Sequence, residues 1–214
     1  MEIHTDGRPI LRFSLFEAWW HNKQEAMKRY FPSEPEKFSN KYMRFGSYVA
    51  EELEKRPIPE WLNIPVVDLK GKPSDVPIAY DVNEYRIIHE YEGILIRGSI
   101  DSYDTPTHRF LDNKSVKKVW TQGKVNKHIQ LPFYSVLIED HNGFVEDICH
   151  IVCLPTGVDE EGNVRLTGEP AVAIARTITA DERKEMREKM IDTAKDITVC
   201  WEAYKRGDII LDLN

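Results

Sequence analysis

Asp101, Asp112 and Lys114 are the residues of this chain whose types and spacing could do chemistry together. They belong to the stretch Gly98-Ser99-Ile100-Asp101-Ser102-Tyr103-Asp104-Thr105-Pro106-Thr107-His108-Arg109-Phe110-Leu111-Asp112-Asn113-Lys114, which reads as a β-hairpin. Ahead of the turn, Ile94, Ile96 and Ile100 alternate with Leu95, Arg97 and Asp101, and a second strand follows Asp104-Thr105-Pro106-Thr107 over residues 109–115. A turn centred between Pro106 and Thr107 sets Asp101 opposite Asp112. Opposed residues on one face have Cβ atoms about 4.5–5.5 Å apart, where like charges repel. A metal cation would remove that penalty. Period 2 places Lys114 on the face of Asp112 and sends Ile94, Ile96, Ile100 and Leu111 to the other, so two carboxylates and a lysine converge on one patch. The alternative is a solvated hairpin whose charges face water.

Gly98-x-x-Asp101, Asp112-x-Lys114 and then Gln130-x-x-x-Tyr134 resemble the core of the PD-(D/E)XK nucleases, in their RecB-like and phage-exonuclease-like branch. The resemblance implies a restriction-endonuclease-like α/β core, a mixed central sheet flanked by helices. It also implies that Asp101 and Asp112 bind divalent metal, that Lys114 assists the attacking water, and that Gln130 and Tyr134 lie on a helix supporting the site and approaching DNA. In the family an earlier helix reads Gly-x-x-x-His or Gly-x-x-x-Glu and adds a metal ligand. Here Gly46 is followed by Ala50, a departure, and Glu51 is the expected substitute. Glu51 lies roughly opposite its helix's apolar stripe at about 100° per residue, where a solvated glutamate is also expected. The expected metal set is Asp101, Asp112, the Asn113 backbone carbonyl and Glu51. All-oxygen ligands suit Mg²⁺, with Mn²⁺ substituting.

A chain of 214 residues with 41% apolar and 30% charged content is long enough for one domain with a sizeable core. No run approaches the roughly 18 apolar residues of a membrane span, and Met1-Glu2-Ile3-His4-Thr5-Asp6 lacks the order of a signal peptide. The expectation is a cytoplasmic protein of a prokaryote or phage, with no membrane partner. A net charge of −7 counts against binding nucleic acid by overall charge. Residues 113–138, however, hold no Asp or Glu, while Lys114, Lys117, Lys118, Lys124 and Lys127 occur there with His128 beside them. This stretch could track a DNA backbone or form a solvated basic face. DNA is the expected partner, with a homo-oligomer or a recombination partner protein concentrating this surface. Cys149, Cys153 and Cys200 make neither an even disulfide set nor a Cys-x-x-Cys pair. Some RecB-like nucleases carry an iron–sulfur cluster on four cysteines, which this chain cannot build.

The elements that must position these residues read as one domain over 1–214: a helical part 10–56, a connecting segment 57–82, a catalytic core 83–155, and a C-terminal strand and long helix 164–207. Ser14-Leu15-Phe16-Glu17 reads as a capping box opening a helix to about residue 29. A second helix over 39–55 carries Tyr42, Phe45, Val49 and Leu53 on one stripe, and Gly46 within it invites a close packing contact. Residues 57–81 contain five prolines and read as a long connection, with a helical turn near Trp61, that could serve as a substrate-facing flap. Residues 85–91 form a strand turned by Glu92-Gly93 into the hairpin, giving a three-stranded meander. A helix over 126–139 places Gln130 and Tyr134 on one face, a polar-aromatic pair able to follow a nucleic-acid backbone. Tyr134 could as easily be core, and Trp120 either packs or stacks on a base. A strand over 144–154 is followed by another over 164–167 or 172–178. Thr179-Ala180-Asp181-Glu182 is a second capping box, opening a helix to about residue 206 that Gly207 stops. The expected activity is a metal-dependent DNA nuclease, by resemblance an exonuclease. The alternative is a catalytically weak DNA-binding or assembly module that keeps the fold.

Overall fold

The computed structural model describes residues 1–32, 40–55 and 57–211; Ser39, where the second helix is expected to begin, lies outside them. Strands β1 (Glu2–Ile3) and β2 (Pro9–Arg12) lead into helices α1 (Phe13–His21), α2 (Lys23–Tyr30) and α3 (Lys41–Leu53). Then come β3 (Val66–Val67), β4 (Val82–Tyr91), β5 (Ile94–Asp104) and β6 (Arg109–Val116), followed by α4 (Gln122–Asn126) and α5 (Gln130–Asn142). Strands β7 (Ile148–Val158), β8 (Val164–Leu166) and β9 (Ala171–Thr177) precede the long α6 (Ala180–Lys205). Nine strands join in the order β1-β2-β5-β6-β7-β9-β3, with β4 added to β5 and β8 to β7. The sheet is mixed: β2 with β5, β6 with β7 and β3 with β9 are parallel, while the meander β4-β5-β6 is antiparallel.

One strand organises the site. Along one edge β5 pairs with β4 from Ile94 to Tyr103. Its other edge is divided, because β2 takes Leu95, Ile96 and Arg97 and β6 takes Ser102, Tyr103 and Asp104. Residues 98–101 are left without a strand on that edge, and the sheet opens there. Gly98 stands at this opening because α5 lies against it: a Cβ would fall 2.8 Å from Leu137 Cδ1 and 3.4 Å from Tyr134 Cδ1. Gly98→Ala should therefore lower stability by about 1–3 kcal/mol through overpacking, read from urea unfolding. A change near zero would mean that Leu137 swings aside freely.

Helices pack the sheet in two layers. Phe13, Phe16, Phe133, Leu137, Met190 and Ile197 belong to the larger cluster, built on α1, α5 and α6. A second cluster joins Val49 and Leu53 of α3 to Leu111, Val152 and Leu154 of the sheet. Ile96 and Ile100 join the first and Leu111 the second, so the expected common apolar face of the hairpin is split. The reason is the opening: beyond the Ser102–Leu111 rung the two strands no longer share one pleat.

Several boundaries differ from expectation for local reasons. Ser14 is not a cap, since α1 starts at Phe13 directly from β2 with Arg12 extended. The single helix expected to residue 29 is two, because Asn22 adopts an extended conformation and its side chain accepts the Glu25 N–H to cap α2. Asn40 caps α3 by accepting from the Tyr42 and Met43 N–H groups. Gly46 has no close packing partner, contrary to expectation, and lines a cavity instead. A 3-10 turn over Glu60–Leu62 sits at the place expected near Trp61. Residues 57–82 are anchored to the second cluster by Leu62, fully buried, and Ile78, 8% exposed. The helix expected over 126–139 is the pair α4 and α5, with Thr121 capping the first and Gly143, at φ 80°, closing the second. The strand expected over 144–154 runs from Ile148 to Val158, and both alternatives for the next strand exist as β8 and β9. The Thr179/Glu182 capping box opens α6, and Gly207 at φ 81° follows its end. Among the described residues no helix is long and apolar enough to cross a membrane.

Candidate active site

Hairpin rungs Ser102–Leu111, Tyr103–Phe110 and Asp104–Arg109 follow the register read from the turn, whose next step would set Asp101 opposite Asp112. Backbone pairing nevertheless stops one rung short. In its place the Asn113 N–H donates to Asp101 Oδ2 at 2.9 Å. Asp112 is fully buried, and neither of its carboxylate oxygens accepts a well-angled hydrogen bond. Lys114 Nζ stands 2.6 Å from Asp112 Oδ2 as an ion pair and donates to Gln130 Oε1 at 3.1 Å. Gln130 Nε2 in turn donates to the Tyr134 hydroxyl at 2.8 Å, and His128 Nε2 lies 3.1 Å from the same Gln130 oxygen. Tyr134 is 4% exposed and therefore braces Gln130 from inside rather than meeting a ligand. The first turn of α5 thus holds the lysine's head group in place.

Electrostatics separate the three charged groups. Burial, and then the neighbouring Asp112 charge, push the Asp101 carboxyl up to about 7. Burial lowers Lys114, but Asp112 and Asp101 outweigh it and hold the ammonium above its ordinary range. Lys114 is therefore a fixed cation. Two carboxylates at the sheet opening, one with an unpartnered oxygen, fit a hard divalent cation in donor chemistry. Among the described residues no three His, Cys, Asp or Glu side chains already form a cage for one.

The raised Asp101 makes a stability prediction for the protein in EDTA. A carboxyl that holds its proton more tightly when folded contributes stability below its unfolded value, and that contribution is lost as pH rises toward about 7. Asp101→Asn removes this dependence. Relative to wild type it should gain on the order of 2 kcal/mol between pH 4 and pH 8, after discounting for the partial exposure of Asp101. Parallel pH profiles from urea unfolding would refute the assignment.

A cavity of about 470 Å³ opens over these groups, with Tyr42, Gly46 and Ala50 of α3 on one wall and Glu84, Asp101 and Lys114 on the other. Asn113 also lines it. Glu51 is exposed, whereas its neighbour Ala50 reaches the cavity, so the structure does not bring Glu51 to the two aspartates. Tyr42, read as part of the apolar stripe, sits at the cavity with Lys117 Nζ 4.5 Å from its ring centroid. Lys124 Nζ lies 3.7 Å from the Trp120 ring, and Lys118 and Lys127 are exposed on the same stretch. Sequence reasoning missed Glu84, Tyr42 and the contact of His128 with Gln130. For Glu84 a signal existed, since the Glu92-Gly93 turn fixes a register that sets it opposite Asp101.

A family model described as the PD-(D/E)XK nuclease superfamily matches residues 6–207. Among solved structures, a candidate exonuclease from Eubacterium rectale is similar to this chain at 12% identity and a TM-score of 0.49, covering 98% of this chain and 89% of that one. No curated protein matches it in sequence.

Proposed function

Since this chain belongs to the PD-(D/E)XK nuclease superfamily, we propose that it is a divalent-metal-dependent deoxyribonuclease acting from DNA ends. The carrying observation is Asp112, a fully buried carboxylate whose Oδ2 is 2.6 Å from the ammonium of Lys114, which lines an open cavity, and whose Oδ1 has no partner. Asp101, Asp112 and the Asn113 carbonyl would hold Mg²⁺, with Mn²⁺ substituting. The cation would supply an activated water and stabilise charge on the phosphate. Lys114, 2.6 Å from Asp112 Oδ2, is placed to orient that water, help deprotonate it or neutralise developing charge. Gln130 fixes its position, and Tyr134 fixes Gln130. Lys117, Lys118, Lys124 and Lys127, with Tyr42, form the surface proposed to follow the DNA backbone. The action from ends rests on the sequence resemblance to phage-type exonucleases.

The test is digestion of end-labelled linear and closed circular DNA, single- and double-stranded, with Mg²⁺, Mn²⁺ or EDTA. Metal-dependent cleavage of linear DNA with circles spared is the expected result. Cleavage of circles would make the protein an endonuclease. Salt-sensitive binding without cleavage would establish the binding-module alternative, which Ala50 at the family's ligand position favours. Neither binding nor cleavage would overturn both.

A further inference from the structure

We infer that Glu84 supplies the carboxylate that α3 lacks, completing with Asp101 and Asp112 the oxygen set for the divalent cation. The inference rests on the metal-dependent reading above and concerns a residue on a strand, where sequence spacing points to the helix.

The backbone singles Glu84 out. It adopts φ 51°, a left-handed conformation costly for a residue with a long side chain. The other described non-glycine residues with positive φ are Glu92 and His108, which occupy the turns on either side of β5. Glu84 alone among them lies inside a strand. Rungs Asn83–Ser102 and Tyr85–Ile100 flank it, so it faces Asp101 at the one position where the β4–β5 ladder is interrupted. The strand is tied down at this point, because the Asn83 side chain donates to the Leu53 carbonyl at the end of α3. Strain held in place by a tertiary contact is characteristic of functional positions.

Geometry gives that strain a use. Glu84 lines the cavity beside Asp101, Asn113 and Lys114, across from Ala50. Its side chain is 32% exposed and held by Arg86, itself 67% exposed, at 3.4 Å, so it can be drawn away at little cost. Asp112, fully buried with Oδ2 paired to Lys114 and Oδ1 without a partner, is the independent sign that a further positive ligand belongs here. The three acids do not form a cage as they stand. Glu84, with 32% of its side chain exposed, is able to swing in when a cation arrives.

The experiment measures Mn²⁺ binding to EDTA-stripped protein by calorimetry and electron paramagnetic resonance, without DNA. Glu84→Gln should weaken binding roughly tenfold or more, by analogy with the loss of groups supporting metal sites. Glu84→Gly should weaken it similarly yet raise the thermal midpoint, since glycine accepts the left-handed conformation. That combination separates lost coordination from lost folding. Adding Ala50→Glu to Glu84→Gln should restore binding from the opposite wall, and Glu51→Gln should leave it unchanged. Wild-type affinity in Glu84→Gln alongside loss in Asp112→Asn would overturn the role of Glu84 and leave the metal site standing. Wild-type affinity in Asp112→Asn as well would overturn the metal reading and this inference with it.

Discussion

Asp112→Asn is expected to reduce DNA cleavage by on the order of a thousandfold while the protein stays folded, the magnitude that follows from removing one essential charge-stabilising group. Asparagine keeps the shape of the buried side chain but removes its charge, so the loss falls on cation binding and not on packing. Asp101 limits the structural cost. Its carboxyl is held near 7 by burial and by Asp112, and with Asp112 neutral it should ionise more readily and partner Lys114. Single-turnover cleavage at saturating DNA, with circular dichroism to verify folding, checks this. Activity within tenfold of wild type would remove Asp112 from the mechanism.

Lys114→Ala is expected to abolish cleavage comparably and, unlike Asp112→Asn, to destabilise the metal-free protein by roughly 2–4 kcal/mol, because a buried carboxylate loses its counter-charge. Lys114 Nζ is the cation 2.6 Å from Asp112 Oδ2, and that oxygen has no well-angled hydrogen bond to fall back on. An unpaired buried carboxylate can escape by taking up a proton, so the cost should be larger at pH 8 than at pH 5. Combining Lys114→Ala with Asp112→Asn should recover most of the lost stability, since no charge is then stranded. Urea unfolding of the four proteins in EDTA at both pH values gives the coupling directly. Additive effects would mean that the pair is open to water and its burial carries no energetic weight.

The same pair shows what was readable in advance. Asp101 opposite Asp112 follows from a turn centred between Pro106 and Thr107 and from the period of a strand, both encoded within a few residues. Gln130 and Tyr134 meeting on α5, the Thr179/Glu182 box and Gly207 after α6 are local for the same reason. Tyr42 does share its face with Val49 and Leu53, but an apolar stripe says nothing of where it meets a cavity. Asn22 broke a helix that the pattern carried through, since an extended asparagine with a capping side chain overrides periodicity over one turn.

By itself the sequence determined the meander, its register, and the identity of Asp101, Asp112 and Lys114 as a group, because short-range turn chemistry and alternation dictate them. Tertiary structure alone decided that these groups meet at an opening of the sheet. The pairing of β2 with Leu95, Ile96 and Arg97 joins segments far apart in the chain and leaves the edge of β5 open at Asp101. Asp112 is buried only in the folded sheet, and the place of Glu84 in the cavity with Ala50 needs the end of α3 tied to β4 through Asn83. These contacts arise from packing between distant elements, which no window of neighbouring residues contains.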